Sequence, residues 1–187
     1  RIQNLTQLNL LQMKKILFIT LLICSNITSA QIENFTLNNR QVTWNKVYET
    51  PKTKEIVINE IESRNNLKIT NVTDNSIVGE FSNLTMDYKK AGFSYMGTPI
   101  ILNETNKFSG SFKIEFKDNR YRATIWNLIS KGMNTTLYSG GLGLGSEITT
   151  SLEQLLLKNN REEFRKNAYK VNGKIIDTTF INLMDFT

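Results

Sequence analysis

The strongest constraint in this chain is a stretch whose two halves pair sensibly in one register. In FSGSFKIEFKDNRYRATIWNLI, residues 108–129, a turn at Asp118-Asn119 sets Phe116 against Tyr121, Ile114 against Ala123 and Phe112 against Ile125. Those residues are all apolar or aromatic and share one face. The opposite face receives Lys117 with Arg120, Glu115 with Arg122 and Lys113 with Thr124. Side chains alternate with period two along a strand, so slipping the pairing by one residue would exchange the faces. Asp and Asn tolerate the left-handed backbone that so tight a turn needs. A chain containing this hairpin builds an antiparallel sheet with one buried side and one wet side.

The flanking segments extend that sheet and cover it. Val42, Trp44 and Tyr48 recur at even spacing in QVTWNKVYE, as on a strand with one buried face. Pro51 breaks the strand and suits a first helical position, with Thr50 as N-cap. Ile56, Val57 and Ile61 then give KTKEIVINEIESRNN the pattern of an amphipathic helix. In LKITNVTDNSIVGEF a loop of Thr73 to Asn75 pairs Leu67 with Phe81, Ile69 with Gly79, Asn71 with Ile77 and Lys68 with Glu80. Residues 89–107 hold Gly92, Gly97 and Pro99 and read as a loop with one short strand at Pro99–Leu102. After the Asp118-Asn119 hairpin, SKGMNTTLYSGGLGLGSEITT reads as a Gly-rich connection, and Ser151-Leu152-Glu153-Gln154 has the spacing of a capping box. Leu152, Leu155 and Leu156 share a face of the helix it starts, and Phe164 and Ala168 a face of the next turns. Ile175, Ile176, Thr179, Phe180, Leu183 and Met184 recur at three and four, the apolar stripe of a C-terminal helix. The expected class is therefore α+β: a curved antiparallel sheet, in the order strand, helix, four strands, helices, with the helices packed on one face.

The N-terminal segment has a different character. Residues 1–12 precede Met13 and read as upstream sequence outside the fold. Lys14 and Lys15, the apolar run Ile16 to Cys24, and the small residues Thr28-Ser29-Ala30 follow in the order of a secretory signal peptide, so cleavage is expected before Gln31. As a helix that apolar run rises about 14 Å against a bilayer core of about 30 Å, too short for a permanent span. A lipid anchor at Cys24 is disfavoured because Ile23, not a small residue, precedes it. Membrane contact is thus expected only through a transient leader, and residues 31–187 form a single periplasmic or extracellular domain. Three basic residues (Arg1, Lys14, Lys15) and no acid leave with residues 1–30, so the net charge falls from +6 to +3.

Composition removes most chemistry. The chain has no His, which excludes Ser-His-Asp and Cys-His nucleophiles and His-bearing zinc sites, and its one Cys cannot form an internal disulfide. In SGGLGLGS the glycines alternate with Leu and no Lys-Ser/Thr pair follows, so a phosphate-cradling loop is not expected. Glu162 and Glu163 are adjacent on an expected helix and point apart, and Asp177 and Asp185 are placed on the polar side of the last helix, all as surface acids. No spacing suggests a metal cage or a cofactor, and an exported domain of mild charge is not expected to bind nucleic acid. The one candidate binding surface is the wet face of the hairpin: Lys113, Lys117, Arg120 and Arg122 with Trp126, suited to anionic glycan or lipid headgroups and partly neutralised by Glu115.

VTWNKVYETP and DNRYRATIWNLI, together with the exported N-terminus, resemble an uncharacterised envelope family common in Bacteroidetes, over roughly residues 35–130. The resemblance implies a TATA-binding-protein-like fold and carries no established activity; a fold name does not imply DNA binding. The functional expectation is an exported bacterial envelope protein, a non-enzymatic binding or structural domain with an unknown envelope partner. The alternatives are the anionic-surface module just described and a hydrolase of His-free chemistry.

Overall fold

Alternation along the chain translates directly into strands. The computed structural model describes residues 31–138 and 141–187; the expected leader lies outside these residues. β1 (Gln31–Ile32), β2 (Phe35–Asn38) and β3 (Gln41–Glu49) form a meander, and α1 (Lys54–Glu62) follows. β4 (Leu67–Val72) and β5 (Ser76–Leu84) make one hairpin, β6 (Lys107–Lys117) and β7 (Arg120–Tyr138) a second. β8 (Gly141–Ser151), α2 (Leu152–Leu156), a π-helical turn (Tyr169–Gly173) and α3 (Lys174–Met184) complete the chain. The sheet runs β1-β2-β3-β7-β6-β5-β4, and β8 pairs the distal half of β7, all antiparallel.

The second hairpin has the register expected from sequence at every pair from Phe112↔Ile125 to Lys117↔Arg120, and Asn119 takes a φ of 56° in the turn. The first departs from expectation. Leu67↔Phe81, Lys68↔Glu80 and Ile69↔Gly79 hold, but a bulge after Ile69 moves the tip to Val72↔Ile77. The Thr73 N–H then donates to the Ser76 carbonyl, so the loop is Asp74-Asn75 rather than three residues. The extra residue has gone into the strand instead of the turn.

Three further expectations are corrected. α1 begins at Lys54 behind Thr53, not at Pro51 behind Thr50, and Ile56 is exposed while Val57 and Ile61 are buried. Pro99–Leu102 forms no strand; Ile100–Leu102 is a 3-10 turn. The Gly-rich connection is ladder: Gly141–Ser151 pairs with β7 from Tyr138↔Gly141 to Ile129↔Ser151, while Ser139 and Gly140 lie outside the described residues. The helix after Ser151 is short. The Ser151 N–H donates to Gln154 Oε1 at 2.9 Å, as the capping box requires. Leu152, Leu155 and Leu156 are buried as expected. Phe164 and Ala168 are also buried, but the chain around Glu162 and Glu163 is not helical.

All three helices serve one side of the sheet. Val42, Trp44 and Tyr48 on β3, Phe108, Phe112 and Ile114 on β6, and Tyr121, Ala123 and Ile125 on β7 face a core closed by Ile176, Phe180 and Met184 of α3. Phe180 meets the Trp44 ring edge-on at 5.6 Å and Phe81 at 6.2 Å, and Tyr48 stacks on Tyr121 at 5.0 Å. At Asn127 (φ 54°) β7 carries one residue more than β6 between Ser109↔Ile129 and Ser111↔Trp126. That bulge shifts the alternation, so Leu128 and Ser130 face inward beyond it.

Candidate functional site

The helix-free face of the sheet is where the register places the sequence-predicted site residues. Cross-strand pairing arranges it in rows: Lys117, Arg120 and Glu49 at the hairpin end; Ser76, Glu115, Arg122 and Val47 next; then Val78, Lys113, Thr124 and Asn45; then Lys68, Glu80, Ser111 and Trp126. Residues opposite one another on one face of an antiparallel pair have touching side chains, so these rows are physical neighbours.

Glu115 organises the middle of the face. Its Oε1 accepts from Lys113 Nζ at 2.9 Å, and its Oε2 accepts from Arg122 Nη2 at 2.7 Å and Nε at 3.2 Å. These donors hold the Glu115 carboxyl below its ordinary 4.5, the Lys113 hydrogen bond foremost and the Arg122 bond next. The single Glu115 charge thereby offsets one of the two positive charges, and the cluster keeps a net charge of +1. Farther along, Thr124 Oγ1 donates to Asn45 Oδ1 at 3.0 Å, Asn45 Nδ2 donates to Thr36 Oγ1 at 3.2 Å, and the Thr36 and Thr43 hydroxyls lie 2.7 Å apart. A polar chain thus crosses β7, β3 and β2. Among these polar rows Val47 is 52% exposed.

Three of the five candidate residues, Lys117, Arg120 and Arg122, line one depression of about 480 Å³ with Glu115 and Val47, and Lys113 and Trp126 stand outside it. Lys113 and Arg122 share Glu115, Trp126 is partly buried in another row, and Lys117 and Arg120 stand exposed at the hairpin end. There they line a depression of about 510 Å³ with Lys52 and Lys54, which sequence spacing did not bring together.

Because a depressed carboxylate stabilises the fold above its unfolded value, the Glu115 contribution is present above pH 4.5 and is lost as the pH falls through its lower folded value. Glu115→Gln is expected to flatten the loss of stability between neutral and acid pH, measured as the urea midpoint at pH 7 and at pH 3. An unchanged acid slope would show that the cluster is too solvated to matter.

The acids fall into two kinds. Glu162 pairs with Arg40 and Glu163 with Lys158, each at 2.7 Å on the surface, and Asp185 is exposed, as expected. Asp177 is not a surface acid: it is 5% exposed. Its Oδ1 accepts from Trp44 Nε1 at 2.6 Å and Asn34 Nδ2 at 2.8 Å, and its Oδ2 from the Tyr169 hydroxyl at 2.8 Å. Burial, and then the Asp177 hydrogen bond, push the Tyr169 phenol above its ordinary range. A signal for this was available in part, since Asp177 lies between Ile176 and the Thr179-Phe180 positions of the apolar stripe. Two of its donors, Asn34 and Trp44, lie more than 130 residues away in sequence and were not.

Two solved structures are similar to this chain. One is a TBP-like protein from Parabacteroides distasonis, 13% identical, with 79% of this chain and 88% of that chain covered and a TM-score of 0.41. The other is a DUF4468 family protein from Bacteroides ovatus, 9% identical, with 84% and 88% covered and a TM-score of 0.43. No family model and no curated protein matches the chain. The α+β class rests on the antiparallel sheet and its one-sided helices.

Proposed function

We propose that the chain is an exported binding domain of the bacterial cell envelope, non-enzymatic, which presents the helix-free face of its sheet to an envelope partner. The reading is supported by the division of the sheet. The face packed by α1, α2 and α3 holds most of the large aromatics, and the other, with the partly buried Trp126, keeps ordered polar rows around the half-exposed Val47. A sheet whose open side is pre-ordered by cross-strand hydrogen bonds loses little side-chain entropy on docking. The signal-peptide pattern of Met13 to Ala30 supplies the compartment. The alternative, an anionic-surface module spread over the whole hairpin face, is weakened at its centre, where Glu115 already offsets one of the two charges of Lys113 and Arg122.

The sole native cysteine is Cys24, inside the expected leader, so a cysteine introduced into the domain is the only thiol of the processed chain. Val47→Cys on the open face and Lys166→Cys on the helical side, treated with a thiol cross-linker on intact cells, test the reading. A discrete adduct from the first variant and none from the second is the expected result. Equal adducts from both, or protein confined to the cytoplasm with Met13 to Ala30 still attached, would overturn it.

A further inference from the structure

The geometry points to an oxyanion site at the corner where three loops meet, taking the phosphoryl group of a larger ligand. It does not depend on what the open face binds. The corner is tied together by the backbone: the Thr50 N–H donates to the Asn119 carbonyl at 2.8 Å, and the Phe116 N–H to the Asn75 carbonyl at 2.9 Å. The segment before α1 and the tips of both hairpins are thereby fixed around the depression of about 510 Å³. Lys52, Lys54, Lys117 and Arg120 line it, and Asp118 is the one acid among the lining residues.

The state of each cation matters more than their number. Lys52 Nζ is bound to Glu60 Oε1 at 2.8 Å, so its charge is largely matched. Lys54 Nζ donates only to neutral acceptors, the carbonyls of Thr73 at 3.0 Å and Asp74 at 3.2 Å, and keeps its charge. Lys117 and Arg120 have neither an ion pair nor a side-chain hydrogen bond among the described residues, although Glu49 sits opposite Arg120 in the ladder. Lys54, Lys117 and Arg120 therefore stand around Asp118 without an ion pair among the described residues, with Glu55 near Lys54 and Glu49 opposite Arg120, while the hairpin face behind them is partly neutralised by Glu115. The start of α1 carries a carboxylate of its own, Glu55, held below its ordinary 4.5 by hydrogen bonds from its own backbone N–H and from Thr53 and by the nearby Lys54 charge. The N–H fork of an arginine matches the oxygens of a phosphoryl group, and the two ammonium groups add point charges around it.

Inorganic phosphate, titrated into the purified protein and followed by backbone amide NMR, is the direct probe. Saturable shifts confined to Thr53, Asn75, Asn119 and their neighbours are expected. Lys117→Gln with Arg120→Gln, which breaks no side-chain hydrogen bond or ion pair among the described residues, should weaken binding by about tenfold or more. Lys166→Gln with Lys170→Gln removes the same charge from the helical side and should leave binding unchanged. Vesicles of phosphatidylcholine with phosphatidylglycerol separate the sources: binding lost in the first pair assigns a lipid headgroup, and phosphate binding without vesicle binding assigns a soluble phosphoryl compound. Absence of saturable phosphate shifts, or equal weakening by both pairs, would overturn the site. Neither outcome touches the cross-linking result at Val47.

Discussion

Asp177→Ala is expected to destabilise the domain by about 4 kcal/mol and to lower its thermal midpoint by about 12 °C. The size follows from what the substitution strands. Trp44 is fully buried and its Nε1 has no other acceptor among the described residues; Asn34 and Tyr169 lose theirs as well. A buried donor left without a partner costs its desolvation, about 1–3 kcal/mol each, in place of the smaller net value of a bond. Asp177→Asn keeps an acceptor oxygen for Trp44 and turns an amide toward the Tyr169 oxygen, which can accept. About half the loss should return. Thermal unfolding by circular dichroism at neutral pH distinguishes the two. Equal stability of Asp177→Ala and the unaltered protein would mean that water replaces the carboxylate and that the site is open.

Asp177 also marks where sequence reasoning stops. Its three donors come from the β1–β2 turn, β3 and the π-helical turn, up to 143 residues away in the chain. A buried acid is recognisable only once the topology has brought those elements together. The hairpin around Asp118-Asn119 was legible because period-two alternation, turn chemistry and opposite charges all select one register. The β7–β8 ladder was not, because glycine is depleted in strands and Gly141, Gly143 and Gly145 read as a connection; pairing with an already formed β7 overrides that preference. The candidate surface was half legible. Period two placed Lys113, Lys117, Arg120 and Arg122 on one face, but nothing in the spacing showed that Lys54 would join Lys117 and Arg120 at the corner.

Gly79→Ala should cost about 3 kcal/mol, the upper part of the range for overpacking a filled site. Sequence pairing puts Gly79 opposite Ile69 without saying why glycine stands there. The structure gives the reason: Gly79 and Phe112 are cross-strand partners, as are Phe81 and Gly110, so each ring lies over its partner's bare backbone. A Cβ at Gly79 would come within 2.5 Å of the Lys68 carbonyl oxygen and 2.7 Å of Phe112 Cε1. The ring is fully buried, and the oxygen is backbone of the β4–β5 hairpin, so neither can move cheaply. Phe112→Leu leaves a gap of its own but relieves the ring contact. The double variant is therefore expected to be more stable than the sum of the single losses, by about 1 kcal/mol, in a double-mutant cycle of urea unfolding. Full additivity would place the whole cost on Lys68 and remove the ring from the explanation. Gly97→Ala, in the loop between β5 and β6, meets Ser94 Oγ at 3.3 Å and the Ser94 backbone only at ordinary contact distance, and should change stability by less than about 0.5 kcal/mol, which separates packing from the general effect of replacing a glycine.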